Sequence, residues 1–232
     1  MTTDLSAVKA LTFDLFGTVL DLGGSLTPYI EELLTAKGSD VKPRRFWAQW
    51  RARQRIEQYQ DNIMMLGHSG YLETAQRGLI YTLRLNQIPF EPDEPTQFME
   101  VWKSLLPFPE VIAGLERLTS RYQLVALSNG NRWFLEHLAQ NQIKWDFDAI
   151  FSVQSAGAFK PHPGVYRLAA QHIGLEVNEC LMVSANSFDV MGARACGYRA
   201  AYVNRYDLPY EESVYQPDYT VKDFTELADE LL

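Results

Sequence analysis

The sequence predicts an α/β fold in which a doubly wound parallel sheet carries an inserted cap of helices. Three observations predict it. Short apolar runs at residues 8–13, 124–129, 149–153 and 180–186, as expected of strands buried on both faces of a parallel sheet, have an acidic or small polar residue at or next to their carboxyl ends. From residue 107 onward helical and strand patterns alternate, the mark of a Rossmann-like sheet covered by helices. Between residue 21 and residue 106 no strand of comparable strength occurs, which marks a helical insertion. The expected organisation is a core domain of residues 1–20 and 107–232 and a cap domain of residues 21–106.

Taken in order, the first strand, residues 8–13, runs into Asp14 and is broken by Gly17, with Thr18 in hydroxyl reach of the same turn. Ligands of open α/β sheets bind beyond the carboxyl ends of the strands, so Asp14 stands where chemistry is expected. An aspartate alone at such a place also reads as a turn former. The first cap helix is expected over residues 26–37, closed by Gly38. A second starts after Pro43, where Ala52, Ile56, Tyr59 and Ile63 recur at helical spacing on one face. Helices over 71–85 and 95–105 follow, separated by the proline-rich loop IPFEPDEP at 88–95. Pro107 and Pro109 make a rigid return to the core. There the pattern predicts helix 110–121, strand 123–128, helix 132–141, strand 149–153, helix 163–173, strand 180–184, helix 188–196 and strand 199–203. An edge strand at 219–221 and a helix at 224–232 close the chain.

Composition narrows the class. A chain of 232 residues can bury one large core and carry an insertion. Its 29 acidic against 21 basic residues, a formal charge of -8, argue against a nucleic-acid partner. No apolar run reaches the roughly 18–20 residues of a membrane span. The start MTTDLSAVKA lacks the features of a secretory signal, so a cytoplasmic protein without a membrane partner is expected. Cys180 and Cys196 lack metal-ligand spacing and read as buried free thiols. There is no G-x-S-x-G, and none of His68, His137, His162 and His172 directly follows a predicted strand end, which argues against a serine hydrolase. His162, between two prolines, reads as a surface residue. Neither glycine-rich phosphate loop is present, so the sheet is not a usual nucleotide binder. Most of the arginines at 44, 45, 51, 53 and 55 are expected to face water.

The motifs FDLFGTVLD at 13–21, SNG at 128–130, FKPHPGVY at 159–166 and SANSFD at 184–189 stand in this order at the strand ends. Together they resemble the haloacid dehalogenase superfamily and, more narrowly, its L-2-haloacid dehalogenase branch. The resemblance covers nearly the whole chain and is weakest between residues 60 and 106. It implies hydrolysis of (S)-2-haloacids to (R)-2-hydroxyacids without metal or cofactor, a small halocarboxylate as partner, and a homodimer built through the cap, with Ile63, Met64, Met65 and Leu66 offering a contact. Asp14 matches the nucleophile, and an ionised carboxylate needs no base to attack carbon. Asp189, held with Ser184, Asn186 and Lys160, matches the carboxylate that activates water against the resulting ester. Lys160 would also keep Asp14 charged. Prolines restrict the backbone around Lys160, which favours such a role over a solvated lysine.

A departing halide needs fixed donors aimed at it. By resemblance these are Arg51, the arginine of FWAQWR, with Asn129 as its partner. Ser128 and the backbone amides after Asp14, at Leu15 and Phe16, match the substrate-carboxylate site. Thr18 and Tyr166 match the remaining active-site positions. Phe188 stands where the family usually has a tryptophan and supplies a flat apolar wall. Two departures lie near the pocket: Ala52 replaces a polar residue, and Arg55, one turn after Arg51, stands where the family tends to place an apolar one. The superfamily's phosphatases bind magnesium through D-x-D and a carboxylate pair near the fourth strand, since hard ions need several oxygen ligands. Here Phe16 and Ala185 occupy two of those positions. Metal binding is therefore not expected, and a phosphatase or other phosphotransfer enzyme is the alternative reading.

Overall fold

The computed structural model describes residues 5–232. Its sheet comprises β1 (Ala10–Phe13), β2 (Gln123–Ser128), β3 (Ala149–Ser152), β4 (Cys180–Ser184), β5 (Arg199–Val203) and β6 (Tyr219–Val221), all parallel, in the order β3-β2-β1-β4-β5-β6. The chain winds outward from β1 to β3 on one side, then crosses to β4 on the other. A crevice therefore opens at the carboxyl ends of β1 and β4, the usual ligand position of such sheets.

Strand alternation explains the two helical layers. Leu11 and Phe13, Leu124 and Ala126, and Leu181 and Val183 join one cluster, packed with α5 (Val111–Leu118) and α9 (Phe224–Leu231). Leu127, Met182 and Ala200 join the other, with α7 (Pro163–His172) and α8 (Ser187–Ala195). Successive side chains of a strand point to opposite faces, so central strands covered on both sides must be apolar throughout. The expected strand bounds at 123–128, 180–184, 199–203 and 219–221 hold. The first strand begins two residues later than expected, and the third stops at Ser152, whose hydroxyl caps a short 3₁₀ turn. The expected helix 132–141 is α6 (Arg132–Leu138) followed by a π-helical turn, Ala139–Ile143.

Between β1 and β2 lie the helices of the cap: α1 (Leu22–Ala36), α2 (Pro43–Ile63), α3 (Tyr71–Leu85) and α4 (Glu94–Phe98), then the 3₁₀ turn Met99–Ser104. The two connections to the core run side by side, with Asp21 N–H on Leu106 O at 2.8 Å and Phe108 N–H on Val19 O at 3.0 Å. Helix α1 begins four residues before the expected point because Asp21 caps it, its carboxylate accepting from Gly24 N–H at 2.8 Å. Gly38, at φ +63°, ends it.

Helix α2 corrects the expected apolar face. Ile56 and Ile63 are 44% and 80% exposed, Ala52 is exposed and Tyr59 only half-buried. The buried side carries Phe46, Trp50, Gln54, Glu57, Gln58 and Asp61. Its C-terminal half lies over the polar rim of the core and against α3, where polar groups find partners: Gln58 donates to Thr74, and Glu57 accepts from Arg53 and Arg77. Gly78 of α3 permits the close approach, since a Cβ there would stand 3.1 Å from the Gln54 backbone nitrogen. Of the two thiols, Cys180 is buried but Cys196, near the surface end of α8, is only half-buried.

Candidate active site

Asp14 extends β1 by one residue, its N–H bonded to Val183 O at 3.0 Å, so its carboxylate stands at the mouth of the crevice. Gly17, at φ +89°, then turns the chain back, which brings Thr18 over the carboxylate. Thr18 Oγ1 donates to Asp14 Oδ2 at 2.9 Å while accepting Ala185 N–H at 2.9 Å, tying β1 to β4. Asn186 Nδ2 donates to the same oxygen at 2.9 Å. Oδ1 has one contact, Lys160 Nζ at 3.3 Å.

Lys160 is 1% exposed and lies between two buried carboxylates, 3.3 Å from Asp14 and 2.8 Å from Asp189. Its peptide bond to Pro161 is cis. Its N–H donates to Asn129 Oδ1 at 2.9 Å, so the strand end after β2 positions the lysine-bearing loop. Tyr166, on the first turns of α7, donates its hydroxyl to Asp189 Oδ1 at 2.7 Å. Burial raises the pKa of Asp189, and the charge of Asp14 pushes it further up, while Lys160 and Tyr166 act the other way. Burial, reinforced by Asp189, keeps the Tyr166 phenol well above its ordinary value and so protonated.

At the other strand ends, Ser128 Oγ is buried without a hydrogen-bond partner, an unmet polar group facing the crevice end of β2. Ser184 Oγ accepts Asn186 N–H at 3.1 Å and shapes the turn into α8. Leu15 and Phe16 are buried, and the Phe16 ring stacks on Tyr71 of α3 with centroids 4.0 Å apart. Phe188 meets Tyr59 of α2 edge-on at 5.9 Å.

The cap supplies the rest. Arg51 donates to Gln54 Oε1 at 2.8 Å and to the Tyr71 hydroxyl at 3.5 Å. It lines a cavity of about 330 Å³ together with Phe16, Trp47, Arg55, Asn186 and Tyr206. The expected pairing of Arg51 with Asn129 is not a direct hydrogen bond. The Asn129 amide is engaged at both ends, its Oδ1 by Lys160 N–H and its Nδ2 donating to Gln58 Oε1 at 3.2 Å.

Several neighbours of the site carry no signal in the sequence. Asn62 grips the backbone of Phe159, donating to its carbonyl at 2.7 Å and accepting its N–H at 2.8 Å. His68 packs on the Phe159 ring and donates Nε2–H to Asn129 O at 2.9 Å; its burial lowers its pKa. These two residues precede their partners by 97 and 61 positions, and no local pattern marks them. Arg55, expected only as a departure near the pocket, reaches Asn186. His162 is exposed and caps α7, as expected of a surface residue.

The donor set does not fit a divalent ion. Among the described residues no three His, Cys, Asp or Glu side chains form a metal-binding group. The Phe16 and Ala185 side chains supply no oxygen, and the Lys160 ammonium sits between the two carboxylates that remain.

The haloacid dehalogenase-like hydrolase family model matches residues 8–197. The chain is 33% identical to haloacetate dehalogenase H-2 of Moraxella sp. (strain B) over 221 residues, 94% of this chain and 95% of that one. It is 29% identical to (S)-2-haloacid dehalogenase H-109 of Pseudomonas putida over 232 residues, 98% and 100% of the two chains. Among solved structures it superposes on the L-2-haloacid dehalogenase of Xanthobacter autotrophicus with chloropropionic acid covalently bound. The TM-score is 0.82 at 25% identity, covering 96% of this chain and 97% of that one. The family match runs from the first strand through α8, spanning the aspartate turn, the helical insertion and the lysine loop, and the chain belongs to the haloacid dehalogenase-like hydrolases.

Proposed function

We propose that this chain hydrolyses (S)-2-haloacids to (R)-2-hydroxyacids without a metal ion, through an ester on Asp14. The observation that carries the reading is the buried Lys160 ammonium between Asp14 and Asp189, at a site where the Phe16 and Ala185 side chains offer a cation no oxygen. Relatives that act on haloacetate and on (S)-2-haloacids, and the covalently bound chloropropionic acid in the Xanthobacter enzyme, agree with it.

Asp14 Oδ1, the oxygen less engaged by donors, attacks C2 from the side opposite the halogen. The carbon–halogen bond breaks, the halide leaves with the electron pair, and C2 inverts. Arg51 receives the halide, with Asn129 behind it. Ser128, with the amides of Leu15 and Phe16, holds the substrate carboxylate, and Phe188 walls the pocket. Asp189 then takes a proton from water, and the hydroxide attacks Cγ of Asp14. Collapse breaks the Cγ–O bond to the hydroxy acid, whose oxygen takes the proton held by Asp189, and the Asp14 carboxyl group returns to its carboxylate by releasing the other proton of the water to solvent. Thr18 and Asn186 hold Asp14 Oδ2 through both steps, Ser184 supports the Asn186 turn, and Tyr166 fixes Asp189. Preorganised donors of this kind stabilise charge where it develops.

The same reading divides the chain into a core of residues 1–20 and 107–232 and a cap of 21–106. It also makes the protein a cytoplasmic homodimer. The unpaired thiols agree with a reducing compartment. The exposed Ile63, Met64, Met65 and Leu66 at the end of α2 agree with a contact between copies; a monomeric mass by light scattering at micromolar concentration would remove the dimer. Halide release from (S)-2-chloropropionate should persist in EDTA and vanish in Asp14→Ala. Activity that requires magnesium would overturn the reading.

A further inference from the structure

Two arginines one helical turn apart line one cavity, and the chemistry described above assigns only one of them. Arg51 and Arg55 both border the cavity of about 330 Å³ at the mouth of the crevice, a volume in the range of small-molecule sites. Neither pairs with a carboxylate among the described residues. The contrast with their neighbours is direct: Arg53 on the same helix donates to Glu57 at 2.8 Å, and Arg77 across on α3 donates to Glu57 at 2.9 Å. In a chain of net charge -8, the missing partners do not reflect a shortage of acids. Glu211, on the α8 side of the site, is hydrogen-bonded to Ser187.

Like charges at this helical spacing destabilise the helix, and partly buried guanidinium groups are costly unless an anion meets them. Burial, then the charge of Arg51, lowers the pKa of Arg55. Its Nη2 donates to Asn186 Oδ1 at 2.9 Å, and its guanidinium carbon lies 5.7 Å from the Phe188 ring centre, but its Nε–H is buried and has no partner among the described residues. Asn186 passes its other end to Asp14 Oδ2 at 2.9 Å. One amide side chain therefore separates Arg55 from the attacking carboxylate, so a group held by Arg55 would lie a few bonds from the carbon that Asp14 attacks.

We propose that Arg55 reads a second anionic group on the substrate, so that the preferred substrates are 2-haloacids with a further carboxylate on the chain, 2-halodicarboxylates. The inference rests on the dehalogenation reading above. Arg51 takes the departing halide, Ser128 and the amides take the first carboxylate, and Arg55 takes the second. The spare Nε–H and Nη groups match a carboxylate's geometry, and the pair of cations is balanced only when both halide and second carboxylate are present.

The test compares kcat/KM for (S)-2-chlorosuccinate with that for its 4-amide, which has the same shape and one charge fewer, in the wild-type protein and in Arg55→Leu. The wild type should prefer the dianion by roughly tenfold or more, and Arg55→Leu should lower that ratio by about the same factor. Both substrates meet the same enzyme molecules, so the ratio does not change with the fraction folded. Arg55→Lys, which keeps the charge without the fork, should retain part of the preference. A wild-type ratio near one would overturn the proposal. So would an Arg55→Leu variant that loses activity equally on both substrates, which is the mark of a residue that only positions Asn186. Halide release from (S)-2-chloropropionate distinguishes the levels: if it occurs without preference for the dianion, only the specificity assignment fails. If no halo acid releases halide, the dehalogenation reading fails and this inference with it.

Discussion

At the scale of single residues, the site depends on how two carboxylates share one ammonium in a buried space. In the proposed mechanism Asp189 must be ionised to take a proton from water, yet burial, and after it the charge of Asp14, raise its pKa above the ordinary carboxylate value. The sign follows from linkage. A carboxylate whose folded pKa lies above its unfolded value binds its proton more tightly when folded. Its protonated form favours folding at low pH, and that contribution is lost as pH rises through the folded pKa. For catalysis the direction is opposite, since activity appears as Asp189 ionises. Burial, the largest of these causes, persists in the ester on which Asp189 acts, so the acid limb of the kcat profile should lie above the ordinary carboxylate range. Tyr166→Phe removes the hydroxyl that stabilises the anion, so that limb should move further up and kcat should fall. A profile recorded from pH 3 upward in which Tyr166→Phe leaves the limb in place would remove Tyr166 from this role. Asp14 was legible from its place at the end of the first strand, and Lys160 and Asp189 through the resemblance of FKPHPGVY and SANSFD to known motifs. Arg55 was legible only as a departure, because its contact with Asn186 spans 131 positions and belongs to no motif.

At the scale of elements, the cap is fastened to the core next to the chemistry. Asn62, near the end of α2, satisfies both backbone groups of Phe159, the residue before Lys160. Two hydrogen bonds from one amide fix the height of α2 above the lysine loop and therefore the reach of Arg51 and Arg55. Asn62→Ala leaves the Phe159 N–H and carbonyl without these partners, at a cost of about 1–3 kcal/mol. Urea unfolding should show that loss together with a reduced kcat/KM for the halo acid. Unchanged values of both would mean that the cap is held elsewhere. Helix α2 also shows where pattern reading stops. Its buried side carries Gln54, Glu57, Gln58 and Asp61, so apolar periodicity selected the outer face with Ile56 and Ile63. The central strands were easier, because runs such as CLMVS are buried at every position and admit few alternatives.

At the scale of the whole molecule, the strand order brings the core's share of the proposed site to one rim. β1 and β4 lie side by side with Phe13 opposite Val183, so Asp14 and the turn at Ser184 emerge together, and β2 brings Ser128 and Asn129 alongside. The alternation of helices and strands after residue 107 made this sheet predictable. The docking of the cap was not, because its contacts, Asn62 on Phe159 and His68 on Asn129, join segments far apart in the chain. In the proposed mechanism Asp14, and not water, attacks carbon. With excess enzyme and a single turnover of (S)-2-chloropropionate in oxygen-18 water, attack by Asp14 puts an enzyme oxygen into the first product molecule. The hydroxy acid should therefore be unlabelled, and Asp14 should gain the label as its ester is hydrolysed at Cγ. Oxygen-18 in the first-turnover product, with none in Asp14, would contradict the ester and assign the attack to water activated by Asp189.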